Sequence, residues 1–253
     1  MIRLTGVNTL VFLDELENST KRQWEYFQVL AEIGVPFVEV RREYFRDFKV
    51  ELQETNKEAA NSGLALLYSI PSSLFINKGV NPELGLYFEE AKAMGAIQVK
   101  LTMGSYKTFA DDMVSTVKST LAKYPDIRLS IENDQSSEGG SPEALERFME
   151  TALQSGLKLG MTFDTGNFIY IGVDPLEAAK QLSKYVNYIH IKNVSSSEDG
   201  IALSLFEKGD IPIKQVLETL DNEERIIAAI EYPCGEKEQA LSILKQEYRR
   251  ITR

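Results

Sequence analysis

Four polar residues stand in or at the end of short apolar runs. Glu132 lies in Leu-Ser-Ile-Glu-Asn, Asp164 in Met-Thr-Phe-Asp-Thr, His190 in Tyr-Ile-His-Ile-Lys and Glu231 in Ala-Ala-Ile-Glu-Tyr. Runs of this kind read as buried strands. Burying three carboxylates and an imidazole is costly unless the charges are paired or a metal gathers them. Oxygen donors with one imidazole suit a hard or borderline divalent ion. Each residue alone has an ordinary explanation. A glutamate at a strand end is usually solvated or salt-bridged, and a lone histidine is more often a hydrogen-bonded core residue. Four such residues on successive strands are not covered by it. His190 is the sole histidine, which argues against mechanisms that need a histidine cluster.

The elements that must position these residues recur eight times. Strands are expected near 2–8, 37–43, 64–70, 97–103, 128–133, 158–164, 186–194 and 226–231, with amphipathic stretches between them. Trp24, Phe27, Leu30 and Ala31 recur at helical spacing within 20–33, and 110–122 and 142–155 behave alike. Ser141-Pro142 and Asp174-Pro175 are an N-cap followed by a first-turn proline. Gly34, Gly63, Gly95 and Gly156 each follow a helical run and precede a strand, the C-cap position. Strands alternating with helices imply a parallel sheet, and eight units favour closure into a (β/α)8 TIM barrel. No linker divides the chain, so one domain over residues 1–253 is expected. The stretches 136–141 and 195–200 read as flexible loops following strands, on the face where such barrels place substrate loops.

Strand parity sharpens the site. Side chains alternate between faces, so Glu132, Asp164, His190 and Glu231 share the barrel axis with Ser130, Thr162, Lys192 and Ala229. The same parity turns Glu39, Arg41 and Lys100 inward. Arg41, Lys100 and Lys192 either pair with the inner carboxylates or hold an anionic substrate such as a sugar phosphate or sugar acid. Phe12 and Phe75 follow strands one and three, where they would belong to the core or wall a pocket. Asp164-Thr165-Gly166 matches the aspartic-protease triplet but occurs once, in a parallel-strand context, and Gly139-Gly140 is too short for a phosphate loop.

Bulk properties bound the function. The chain of 253 residues carries a formal charge of −10, which disfavours a nucleic-acid partner. The basic tail Arg249, Arg250, Arg253 reads as a solvated helix end. One cysteine, Cys234, excludes an intrachain disulfide and fits a reducing cytoplasm. No signal peptide and no membrane span are read from the sequence, so a cytoplasmic location is expected. Homo-oligomerisation is left open.

The order Glu, Asp, His, Glu on strands five to eight resembles the xylose isomerase-like TIM-barrel superfamily, which includes sugar isomerases and epimerases, dehydratases and endonuclease-IV-type (AP endonuclease family 2) enzymes. The resemblance covers essentially the whole chain. It is carried by Phe163-Asp164-Thr165-Gly166-Asn167, by Gly172-Val173-Asp174-Pro175-Leu176-Glu177-Ala178, by Tyr188-Ile189-His190-Ile191-Lys192-Asn193 and by the loop Glu207-Lys208-Gly209-Asp210-Ile211. It implies Glu132, Asp164, His190 and Glu231 as ligands of one divalent ion, Mn²⁺ or Mg²⁺ first, with Co²⁺ and Zn²⁺ as alternatives. It further implies that Glu132 and Glu231 act as acid and base through a metal-stabilised enediolate; Glu39, Arg41, Lys100, Asn133, Asn167 and Lys192 are expected to bind the carbohydrate. One position departs from the ketose epimerases: a histidine there is Asn167 here, which cannot carry a proton at neutral pH. A histidine-rich multi-zinc endonuclease is disfavoured by the single histidine and the acidic charge. The expected activity is thus a metal-dependent isomerase or epimerase of a sugar, sugar phosphate or sugar acid. The alternatives are a dehydratase or lyase of a cyclic polyol or keto acid, and a non-catalytic sugar-binding barrel.

Overall fold

The computed structural model describes residues 4–221 and 226–252. Eight aliphatic-rich strands pair in parallel: β1 Leu4–Asn8, β2 Phe37–Arg41, β3 Ala65–Ile76, β4 Ala96–Gly104, β5 Arg128–Glu132, β6 Leu159–Asp164, β7 Val186–Ile191 and β8 Ile227–Ile230. Each strand pairs with the next, and β8 returns to β1 through Leu4↔Ile227 to Val7↔Ile230, so the sheet closes. The principal helices between and after them are α1 Phe27–Ile33, α2 Phe48–Ser62, α3 Leu84–Met94, α4 Asp111–Lys123, α5 Pro142–Gln154, α6 Pro175–Leu182, α7 Ile213–Leu220 and α8 Lys237–Ile251. This is a (β/α)8 barrel. No helix among the described residues is long and apolar enough to cross a membrane.

Local signals account for most boundaries. The Ser141 and Asp174 side chains accept the Ala144 and Leu176 N–H groups, and proline occupies the first turn of both α5 and α6. In α5, Leu145, Phe148, Met149 and Ala152 make one buried face. Gly34, Gly63 and Gly95 end α1, α2 and α3 with φ of 92°, 66° and 77°, a conformation glycine adopts without a Cβ penalty.

Several boundaries differ from the sequence expectation, and the reasons are side-chain hydrogen bonds. The helix expected from Thr20 begins as a 3₁₀ turn at Gln23–Tyr26, because Gln23 is drawn into the barrel. Its amide takes both the N–H of Arg41 (2.7 Å) and its C=O (2.9 Å). It thereby replaces a strand neighbour and ends β2 at Arg41 instead of Glu43. Strand β7 stops at Ile191 because the Thr165 hydroxyl bonds Lys192 N–H (2.9 Å) and Lys192 C=O (2.6 Å). The chain then forms an antiparallel ribbon, Asn193–Ser197 with Gly200–Ser204, where a flexible loop was expected. The stretch 136–141 likewise contains a helical turn, Ser137–Gly140. Residues 2, 3 and 253, named above, lie outside the described residues.

The main core lies between sheet and helices, and a smaller cluster of Phe37, Leu67, Tyr188 and Ala229 fills part of the barrel interior. Phe12 and Phe75 are buried in the core. Phe12 stacks on Tyr26 with ring centroids 3.9 Å apart, and Phe75 packs against Tyr106, Phe109 and Phe148. Gly6 makes room for Phe37: a Cβ at Gly6 would lie 2.3 Å from Phe37 Cε2. Gly6→Ala is therefore expected to destabilise the fold by about 1–3 kcal/mol through overpacking. Urea unfolding should show a lower midpoint with an unchanged slope.

Candidate metal centre

The closed barrel brings the expected residues together at the C-terminal ends of the strands. Register places Asp164 opposite His190 and Thr162 opposite Glu132, while Glu231 N–H continues the ladder to Ile191 C=O at 3.0 Å. Glu132, Asp164, His190 and Glu231 are all buried, and one ligand atom from each lies within 4.8 Å of the others. Three carboxylates and an imidazole at that spacing fit a single divalent ion by number and kind of donor.

His190 is held from both sides. Its Nδ1 lies 2.5 Å from Glu132 Oε1 and 3.3 Å from Glu231 Oε2, and its Nε2 lies 2.7 Å from Glu39 Oε2. The tautomer protonated at Nε2 would donate to Glu39 and turn the Nδ1 lone pair toward the cluster. Glu39 is fully buried. The same oxygen accepts from Asn8 Nδ2 (2.6 Å) and from the Tyr188 hydroxyl (3.0 Å). Glu39 thus lies behind the histidine, shut off from solvent.

The cations follow the carboxylates closely. Lys100 Nζ is 2.6 Å from Glu132 Oε2, Arg41 Nη1 is 2.8 Å from Glu231 Oε1, and Arg41 Nε is 2.6 Å from Glu43. Lys192 Nζ is 2.6 Å from Asp164 Oδ2 and 3.0 Å from Glu231 Oε2. Asn133 locks Asp164 through both backbone groups, accepting its N–H at 2.8 Å and donating to its C=O at 3.0 Å. Asn167 donates to Asn133 C=O (2.9 Å) and accepts from Gln135 Nε2 (3.1 Å).

Burial and these neighbours set the charge states. Burial raises the Asp164 carboxyl to about 7, against the pull of Lys192. Burial would also raise Glu132, but Lys100 and His190 overcome it and hold this carboxyl at about 2. Glu231 is held well below its usual range: burial opposes the ionised form, and His190, Lys192 and Arg41 outweigh it. Burial favours neutral His190, yet Glu231, Glu39 and Glu132 push its proton affinity well above normal.

Cys234, just past Glu231, is buried and chemically quiet, because burial pushes its thiol up to about 12. A thiol raised in the folded state favours folding below its unfolded pKa of about 8.5 and loses that contribution as pH rises through the folded value. Native protein at pH 8 should therefore resist a thiol-reactive dye and label only after denaturation. Rapid labelling of the folded protein would contradict this.

Four contributors escaped the sequence reading. Asn8 and Tyr188 bond Glu39, Thr165 bonds the backbone of His190 and Lys192, and Gln23 bonds that of Arg41. Asn8 was within reach of the same parity rule, since it ends β1 as Glu132 ends β5. So was Tyr188, two residues before His190 on β7; Gln23 and Thr165 depend on which loops cross the mouth.

No known protein-family profile matches the chain, and neither does a curated protein sequence. Solved structures do match. They share the (β/α)8 barrel fold of this chain. A probable 3-DHS dehydratase, AsbF, involved in petrobactin synthesis in Bacillus anthracis superposes with a TM-score of 0.70 at 14% identity, over 99% of both chains. An L-ribulose 3-epimerase gives 0.69 at 15% identity, over 99% of this chain and 93% of that one. The IolI protein with a bound zinc atom gives 0.68 at 15% identity, over 98% of both. At these identities the likeness establishes the fold.

Proposed function

We propose that this protein is a metal-dependent isomerase or epimerase of a sugar, sugar phosphate or sugar acid, acting as one domain over residues 1–253 in the cytoplasm. The observation that carries this reading is the convergence of Glu132, Asp164, His190 and Glu231 within 4.8 Å at the barrel mouth. Those residues would hold one divalent ion, Mn²⁺ or Mg²⁺ by its oxygen-rich donor set, or Co²⁺ or Zn²⁺. Bound there, the ion would supply Lewis acidity toward a substrate carbonyl and acidify the adjacent C–H. Glu132 and Glu231 extend from strands three apart, and each is kept ionised by cations, so both can accept a proton from carbon. Lys100, Lys192 and Arg41 would orient the substrate, with Asn133 and Asn167 fixing the backbone beneath it. Glu39 falls into a supporting role in this reading, since His190 and Tyr188 enclose it.

Asn167 favours a second reading at the same site. Its amide is engaged by Asn133 and Gln135 and cannot relay a proton. A dehydratase or lyase of a cyclic polyol or keto acid also begins with proton abstraction beside a carbonyl, and it needs no proton carrier at that position. Incubating the Mn²⁺-loaded protein with ketoses, sugar phosphates and keto acids in D₂O tests both readings. An isomerase or epimerase incorporates deuterium beside the carbonyl without loss of water; a dehydratase generates a conjugated absorbance. Absence of both across the set would leave the metal-dependent proton-transfer reading without support.

A further inference from the structure

Lys192 occupies the oxygens that a metal would need. Asp164 Oδ1 already accepts the backbone N–H groups of Gly166 (2.8 Å) and Asn167 (2.9 Å), so Oδ2 is its remaining oxygen, and Lys192 Nζ sits 2.6 Å from it. The same ammonium lies 3.0 Å from Glu231 Oε2, while Glu231 Oε1 accepts from Arg41 and Asn8. One lysine therefore bridges two of the four donor residues from the side facing the cluster. A divalent ion drawing on Asp164 and Glu231 repels this ammonium at contact range and must displace it.

The displaced group cannot retreat far. The Lys192 backbone is pinned on both sides by the Thr165 hydroxyl. Its stem lies on Gly166, where a Cβ would come within 2.7 Å of Lys192 Cγ and 2.8 Å of Cδ. Only 11% of the side chain is exposed. An ammonium stripped of its carboxylates in so enclosed a place is costly unless a new anion meets it. Asn167 Oδ1, 3.4 Å away, offers a weak neutral contact. Lys100 keeps its Glu132 oxygen and Arg41 its Glu43 partner, so the exchange frees one positive charge.

We propose that Lys192 is an exchangeable counter-ion: it competes with the metal for Asp164 and Glu231, and once displaced it receives the carboxylate of a sugar-acid substrate. The single freed charge matches a carboxylate better than a phosphate dianion. Metal and substrate anion then bind with positive coupling, equal in both directions. The proposal rests on the metal reading above.

Mn²⁺ affinity, read by the loss of the free-ion paramagnetic resonance signal, tests it. Wild type, Lys192→Gln and Lys192→Met are compared alone and with glycerate, glycerol 3-phosphate or glycerol, and thermal melting verifies that each variant folds. Both variants should bind Mn²⁺ about 10-fold tighter than wild type without additive, and the stem retained by Met guards against a purely packing effect. Glycerate should tighten Mn²⁺ binding to wild type by about 10-fold, within the usual range of coupling, and leave both variants nearly unchanged. Glycerol should do nothing. Equal or weaker Mn²⁺ binding by both folded variants would overturn the proposal. So would tightening of wild type by glycerol as strong as that by glycerate. Tightening by glycerol 3-phosphate but not glycerate would refute the carboxylate assignment. Failure of Mn²⁺ to bind all three proteins would instead defeat the metal reading, and the proposal with it.

Discussion

Replacing Asp164 by Asn is expected to weaken divalent-metal binding by on the order of 100-fold or more, while Glu39→Gln should cost about 10- to 100-fold. The difference follows from position. Asp164 has one oxygen, Oδ2, turned toward the cluster, because two backbone N–H groups occupy Oδ1. An amide in its place offers at best a neutral carbonyl and presents N–H₂ donors to a cation if turned the other way. The Gly166 and Asn167 N–H groups would favour the carbonyl on their side, which directs the NH₂ toward the metal. Glu39 has no such role in this reading. It touches His190 Nε2, so its loss frees the ring to rotate and removes the acceptor that selects the tautomer. Titration of Mn²⁺ or Zn²⁺ into each folded variant measures both. Unchanged affinity in Asp164→Asn would remove that residue from the ligand set. A larger loss in Glu39→Gln than in Asp164→Asn would mean that histidine orientation matters more to binding than the Asp164 carboxylate.

The barrel and the convergence of the four residues were legible because both rest on local periodicity. Alternation along β5, β6, β7 and β8 fixes which side chains face the axis, and closure of the sheet brings the ends together; neither step needs a distance. The boundaries that differ were set by side chains acting from elsewhere in the chain. Gln23 ends β2 from 18 residues away, and Thr165 ends β7 from 27. Neither residue differs in type from an ordinary polar loop residue, so nothing local marks it. Glu39 illustrates a second limit. Parity turned it inward correctly, but parity does not say at what depth an inward side chain sits. Its partners, Asn8 on β1 and Tyr188 and His190 on β7, come from two other strands. The pairing of Arg41, Lys100 and Lys192 with inner carboxylates was one of two readings open in the sequence. The geometry places each of them on a carboxylate, which is also where the metal question and the substrate question become one.

Glu132→Gln and Glu231→Gln are each expected to slow exchange of the substrate α-proton with solvent deuterium by about 10²- to 10⁴-fold, beyond any loss in metal occupancy. The two glutamates come from β5 and from the end of β8, so they approach a substrate at the mouth from different strands. Each is ionised at neutral pH for a different reason. Lys100 and His190 hold Glu132 at about 2, whereas His190, Lys192 and Arg41 hold Glu231 low. A carboxylate so stabilised is a weak base, and it can take a proton from carbon only when that proton has been acidified and when the cations at its back have moved or been shared with substrate. Lys192 contacts Glu231 and Asp164 but not Glu132. When a metal displaces it, the ion takes its place on Glu231, which also keeps Arg41, just as Glu132 keeps Lys100. Losses of similar size are therefore expected for the two variants. Measurement requires metal-saturated variants, with occupancy determined independently, and single-turnover exchange followed by proton resonance. Near wild-type exchange in both saturated variants would show that another residue moves the proton. A loss confined to one of the two would assign the proton transfer to that glutamate alone.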